Sequence, residues 1–182
     1  MKSPKKTRTA NILQFMQAIS WLAFIALCVQ TGILFYAFVI QVHIDQSSMH
    51  DTYNNLDVYE LFLNNTKGYY LLAVLVILGC FFKTLLLFQL TRIFSKVNFE
   101  NPFKPILASI IIKMSYLSLT IGMLTYFEVR LSNVLSNKEN AIAISEFTES
   151  PKVFILFAGV LFIIAQVLKR GVEIQAENDL TI

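Results

Sequence analysis

The sequence predicts an all-α integral membrane protein in which four transmembrane helices form an antiparallel bundle. Three observations predict it. Of 182 residues, 55% are hydrophobic and only 15% charged, with mean hydropathy +0.60. A soluble domain of this size does not hide so much apolar surface, whereas lipid accepts it. The apolar residues gather into four runs, about 18–42, 69–90, 106–127 and 153–168, which match a hydrocarbon core about 30 Å thick. Lys and Arg concentrate in alternate polar segments beside these runs. Backbone in hydrocarbon must satisfy its own hydrogen bonds, so each run is a helix. Residues 1–182 then make a single four-helix membrane domain.

In chain order, residues 1–8 are basic, with Lys2, Lys5, Lys6 and Arg8 around Pro4. A secretory leader opens the same way, but the run 18–42 is too long for a leader core and has no small-x-small cleavage site. It is therefore a retained span. Ile12, Phe15, Met16 and Ile19 recur at helical spacing before it, which suits an amphipathic lead-in at the interface with Trp21 in the aromatic belt. Residues 41–68 are polar and acidic, with Asp45, Asp51, Asp57 and Glu60 against Lys67. Tyr53, Leu56, Val58, Tyr59, Leu61 and Phe62 give that loop enough apolar surface for short helices packed on the bundle.

Tyr69 and Tyr70 open the second run at the interface. A basic connector follows, with Arg92, Lys96 and Lys104 around Asn98-Phe99-Glu100-Asn101-Pro102-Phe103. There Asn101 can cap free N–H groups and Pro102 loses nothing as a first helical residue, which predicts a helix start. Residues 128–152 are polar again, with Glu128, Glu139, Glu146 and Glu149 against three bases. Ser150-Pro151 repeats the start chemistry and opens the fourth run. That run is short, so its ends lean on Pro151 and on snorkelling Lys169 and Arg170.

Four spans put both termini on one side. The N-terminal segment, the connector and the tail 169–182 carry nine Lys or Arg (four, three and two), and the two longer loops carry four. The positive-inside rule then expects both termini in the cytoplasm.

No nucleophile–base order, glycine-rich phosphate loop, C-x-x-C pair or paired carboxylates occurs, so neither an enzyme nor a cofactor is expected. Cys28 and Cys80 fall inside apolar runs, where cysteine acts as a small hydrophobe. His43, Asp45, His50 and Asp51 cluster after the first span but lack zinc spacing, which favours solvated loop residues and no metal. Asn64-Asn65-Thr66 is a sequon of low specificity. Four spans without paired Gly/Pro-broken helices disfavour a secondary transporter.

Lys83 and Lys113 are charges inside apolar runs. Ionisable residues there are functional candidates, and a hairpin turning near Asn98 would set the two at one depth. An anion, a lipid phosphate or the tail carboxylates could then lie between them. The plainer reading has both lysines snorkelling to the interface. Both stand open at this point.

In the tail, Lys169, Glu173 and Glu177 would share one face of a continuing helix, with Lys169 and Glu173 an i,i+4 pair. Gly171 marks a potential bend. Asp179-Leu180-Thr181-Ile182 suits an extended docking segment; a frayed terminus is the plainer reading. The stretch 170–182, R-G-V-E-I-Q-A-E-N-D-L-T-I, resembles the closing R-G-x-E-L-Q-x-E-N-D-L-T-V of a bacterial membrane family of unknown function, number 2975. Asn101-Pro102-Phe103 is similar to that family's N-P-F connector, and the four-span plan agrees over most of the chain. Ile174 and Ile182 replace the usual Leu and Val, and Lys104-Pro105 stands where many relatives have a Thr-x-x-Asn run.

The resemblance implies no catalytic activity. It implies a bacterial inner-membrane protein, and a partner that is a small Cro/C1-type helix-turn-helix regulator, with no direct nucleic-acid contact. The reading is then a sensor or anchor that binds or sequesters that regulator. Its contact residues would be Glu173, Glu177, Asp179 and Leu180, with Asn101, Pro102 and Phe103 shaping the facing connector. Two other readings are a lipid- or small-molecule-binding protein with a polar pocket at Lys83 and Lys113, and a purely structural bundle.

Overall fold

A computed structural model describes residues 8–43, 62, 65–97, 104–135 and 150–179. Four long helices hold nearly all of them: α1 (Arg8–His43), α2 (Thr66–Lys96), α3 (Pro105–Leu135) and α4 (Pro151–Asp179). Each is long and apolar enough to cross a membrane, and the chain is an all-α, multi-pass membrane protein. Helices of 29 to 36 residues exceed the roughly 20 residues that a bilayer core requires.

Local chemistry sets the starts. Asn65 caps α2, its side chain accepting from the Gly68 amide at 3.0 Å. Pro151 opens α4 behind Ser150, where the sequence put it. Pro105, not Pro102, opens α3. The reason is the same: a missing N–H costs nothing at a first helical position, and the Leu107 amide closes the first turn on the Lys104 carbonyl.

Packing runs between chain neighbours, α1 on α2, α2 on α3 and α3 on α4, the last being the most extensive. All three pairs are antiparallel. Phe24 meets Phe88 while Phe38 meets Tyr70 across the first pair. Gly68 faces Leu135 and Gly79 faces Glu128 across the second. Ser115 and Ser118 donate to the Ala158 and Phe154 carbonyls across the third. α3 is the central helix, with half of its most apolar window buried, against none of that of α1.

Two apolar clusters hold α2 and α3 together. Phe62, Tyr69 and Leu72 pack with Phe38, Tyr70, Leu131 and Leu135 at one end. Ile110, Met114 and Leu161 pack with Leu86, Leu90, Ile93 and Ile111 at the other.

α4 is displaced along α3. Its first residue lies against Gly122, where an added Cβ would stand 3.3 Å from the Pro151 carbonyl oxygen. It therefore starts roughly 20 Å short of the far end of α3, at 1.5 Å per residue. At its other end it runs past the start of α3 and through Gly171 without a break to Asp179. The potential bend at Gly171 does not occur, and the helix expected through Glu173 and Glu177 continues to Asp179; residues 180–182, the rest of the expected extended segment, lie outside the described residues.

Candidate functional site

One face of α3 is polar and buried. Ser115, Ser118, Thr125, Glu128 and Ser132 all lie on it, each at most 8% exposed. The first two spend their hydroxyls on α4, donating to the Ala158 carbonyl at 2.9 Å and the Phe154 carbonyl at 2.8 Å. These bonds fix the depth of α4 against α3. The other three stand beyond the start of α4, on the stretch of α3 that α4 does not accompany. Across from them α2 presents Gly79, and a Cβ there would stand 2.6 Å from Glu128 Oε1. The carboxylate occupies the space of the glycine's missing side chain, and a larger residue there would displace it. One turn along α2, Lys83 is half-buried with its Nζ 5.6 Å from the centroid of the Phe154 ring, in the first turn of α4. The arrangement places a carboxylate, an ammonium and two hydroxyls on facing membrane-spanning helices, level with the middle of α2. Charges there are costly and mark functional positions by default.

Lys83 and Lys113 are not at one depth. Leu86, Leu90 and Ile93 pack against the cluster of Ile110 and Met114, a register that puts the two lysines roughly 10 Å apart along the helices. Lys113 is exposed. The hairpin does not turn symmetrically about Asn98, because α2 ends at Lys96 and α3 begins only at Pro105. The tail carboxylates do not lie between the lysines either. With Ser115 beside Ala158, Glu173 is roughly 20 Å further along α4 than the level of Lys113.

In the tail Glu173 pairs with Arg170 at 2.9 Å, one turn back, rather than with Lys169. Glu173 and Glu177 are both exposed on the helix that continues past Leu168. Asp179 ends α4, and its side chain lies outside the described residues, as do Asn101, Pro102, Phe103 and Leu180. His43 is the last residue of α1, and Asp45, His50 and Asp51 are outside the described residues. Among the described residues no group of three or more His, Cys, Asp or Glu is placed to hold a metal ion.

The model of a family described as "Protein of unknown function (DUF2975)" matches residues 41–182. The chain belongs to this family. No curated protein and no solved structure matches it. The match begins as α1 ends, so α2, α3 and α4 lie within the DUF2975 region. The polar face of α3, Gly79, Lys83 and the helical tail all lie within it.

Sequence reasoning missed Glu128 and Gly79. Glu128 directly follows the apolar run 106–127 and reads there as the first loop residue. A signal did exist: Thr125, Glu128 and Ser132 recur at i, i+3 and i+7, the spacing of one helical face.

Proposed function

We propose that this DUF2975 member is a non-enzymatic anchor in the bacterial inner membrane, with both termini in the cytoplasm. Its helical tail binds a small Cro/C1-type helix-turn-helix regulator. The observation that carries the reading is the unbroken run of α4 from Pro151 to Asp179. That run carries Glu173 and Glu177, exposed, beyond the start of α3 on a rigid arm. An arm continuous with a span transmits a change in bundle packing to a docked protein, which a frayed terminus does not.

Charge supports the partner class. Glu173, Glu177 and Asp179 offer carboxylates, and a DNA-binding domain presents the Lys/Arg surface that neutralises phosphates. A regulator held by that surface would be kept from its operator. The end of α2 at Lys96 and the start of α3 at Pro105, which Asn101, Pro102 and Phe103 join in sequence, are at the same end of the described helices as the arm. The excess of Lys and Arg on this end supports its cytoplasmic placement. An exterior or membrane cue would act by shifting the population between two packings of the helices.

The test is capture from native membranes followed by mass spectrometry, with the full chain and with a chain ending at Arg170. The regulator is expected with the first and absent from the second. Equal recovery with both would contradict the reading.

A second reading, binding of a lipid or small molecule, draws on the half-buried Lys83. It loses Lys113 as a shared ligand because of the difference in depth, and retention of a lipid by wild type but not by Lys83→Met would favour it.

A further inference from the structure

We propose that Lys83 and Glu128 form an ion pair inside the membrane-spanning region, and that Thr125 and Ser132 hold water against the carboxylate. The inference does not depend on the docking reading.

Glu128 is 8% exposed on a membrane-spanning helix, and a buried carboxylate persists there when a cation and hydrogen bonds compensate its lost hydration. Its Oε1 rests in the gap at Gly79. Lys83 follows Gly79 by four residues on α2 and so occupies the same face, with Cβ positions about 5–6 Å apart. Helical side chains lean toward the N-terminus of their own helix. α2 and α3 are antiparallel, so Lys83 leans toward Gly79 while Glu128 leans down toward the same level. The contact of Lys83 Nζ with the Phe154 ring keeps the ammonium on the side of α2 that looks into the helices rather than into lipid.

The other described cations near this level do not compete. Arg130 donates from Nε to the Tyr126 hydroxyl at 3.1 Å on the exposed side of α3. Lys152 is exposed on the first turn of α4, and Lys113 is exposed and about four turns from Glu128 along α3.

The hydroxyls supply the second observation. Thr125 Oγ1 and Ser132 Oγ are buried, the residues being 1% and 3% exposed, and neither has a hydrogen-bond partner among the described residues. They flank Glu128 at i−3 and i+4 on one face. Buried hydroxyls left unpaired are costly, and a buried water needs two to four polar partners. Two hydroxyls and a carboxylate meet that requirement.

The test is a charge-swap cycle in the full-length chain, read as protein level in native membranes and as Tm after detergent extraction. Lys83→Glu and Glu128→Lys are each expected to lower the level several-fold, and the two together to restore at least half of it. Lys83→Met and Glu128→Gln are expected to lower Tm, with the double variant no lower than the worse single. A swap as depleted as its single reversals, or Tm losses that add, would overturn the pair. Thr125→Val is expected to lower Tm, since it removes a ligand of the water; an unchanged or raised Tm would overturn the water site.

Discussion

A methyl group added at Gly79 would stand 2.6 Å from a carboxylate oxygen of Glu128, and one at Gly122 would stand 2.8 Å from Ile155 Cγ1. Both glycines set how closely α3 approaches a neighbour. Gly79→Ala is expected to destabilise by about 1–3 kcal/mol, the usual cost of overpacking, measured by thermal unfolding in detergent. Ser118→Ala removes the hydroxyl that donates to the Phe154 carbonyl. Its expected cost is about 0.6 kcal/mol, because interhelical hydrogen bonds in membranes contribute modestly. At this scale Lys83 was legible, since a charge amid leucines and phenylalanines stands out. Glu128 was not, because it sits at the edge of an apolar run and nothing local says whether the helix goes on. It goes on because Leu131 and Leu135 pack with Tyr69 and Phe62, a contact between residues far apart in sequence.

Helix starts were more legible than helix ends. Ser150-Pro151 carries local chemistry that caps a helix wherever it is placed, and α4 begins beside it; Asn65 carries the same chemistry at the start of α2 but reads in the sequence only as part of a sequon. The choice between Pro102 and Pro105 needed the register of α3 against its neighbours, which no local signal carries. The end of α4 was hidden for a different reason. Gly171 weakens a helix by about 1 kcal/mol relative to Ala, but the Arg170–Glu173 ion pair spans it, and the helix runs on to Asp179. Gly171→Ala is therefore expected to leave docking intact while protecting the arm from limited proteolysis. Gly171→Pro, at about 3 kcal/mol, should break the arm there, making it protease-sensitive and releasing the regulator. Equal protease sensitivity of both variants would show that the arm does not depend on helical continuity.

The described residues form a row of antiparallel helices with α3 at its centre, packed between α2 and α4. Its class was legible from composition alone, because four apolar runs of spanning length admit little but helices in lipid. The offset of α4 was not, since it rests on Ser115, Ser118 and Gly122, small residues whose partners only the fold supplies. That offset has two consequences. It leaves Thr125, Glu128 and Ser132 beyond the first turn of α4, which Lys83 touches through Phe154, and it pushes the acidic arm out past α3 at the opposite end.

The central claim is that this arm holds a DNA-binding regulator at the membrane. Imaging of the fluorescently tagged regulator in living cells tests it most directly. With the full chain the regulator is expected at the cell periphery, and with Glu173→Lys and Glu177→Lys combined it is expected throughout the cytoplasm, at equal levels of the membrane protein. A regulator that stays at the periphery with the reversed arm, or is never found there with the native one, would contradict the account.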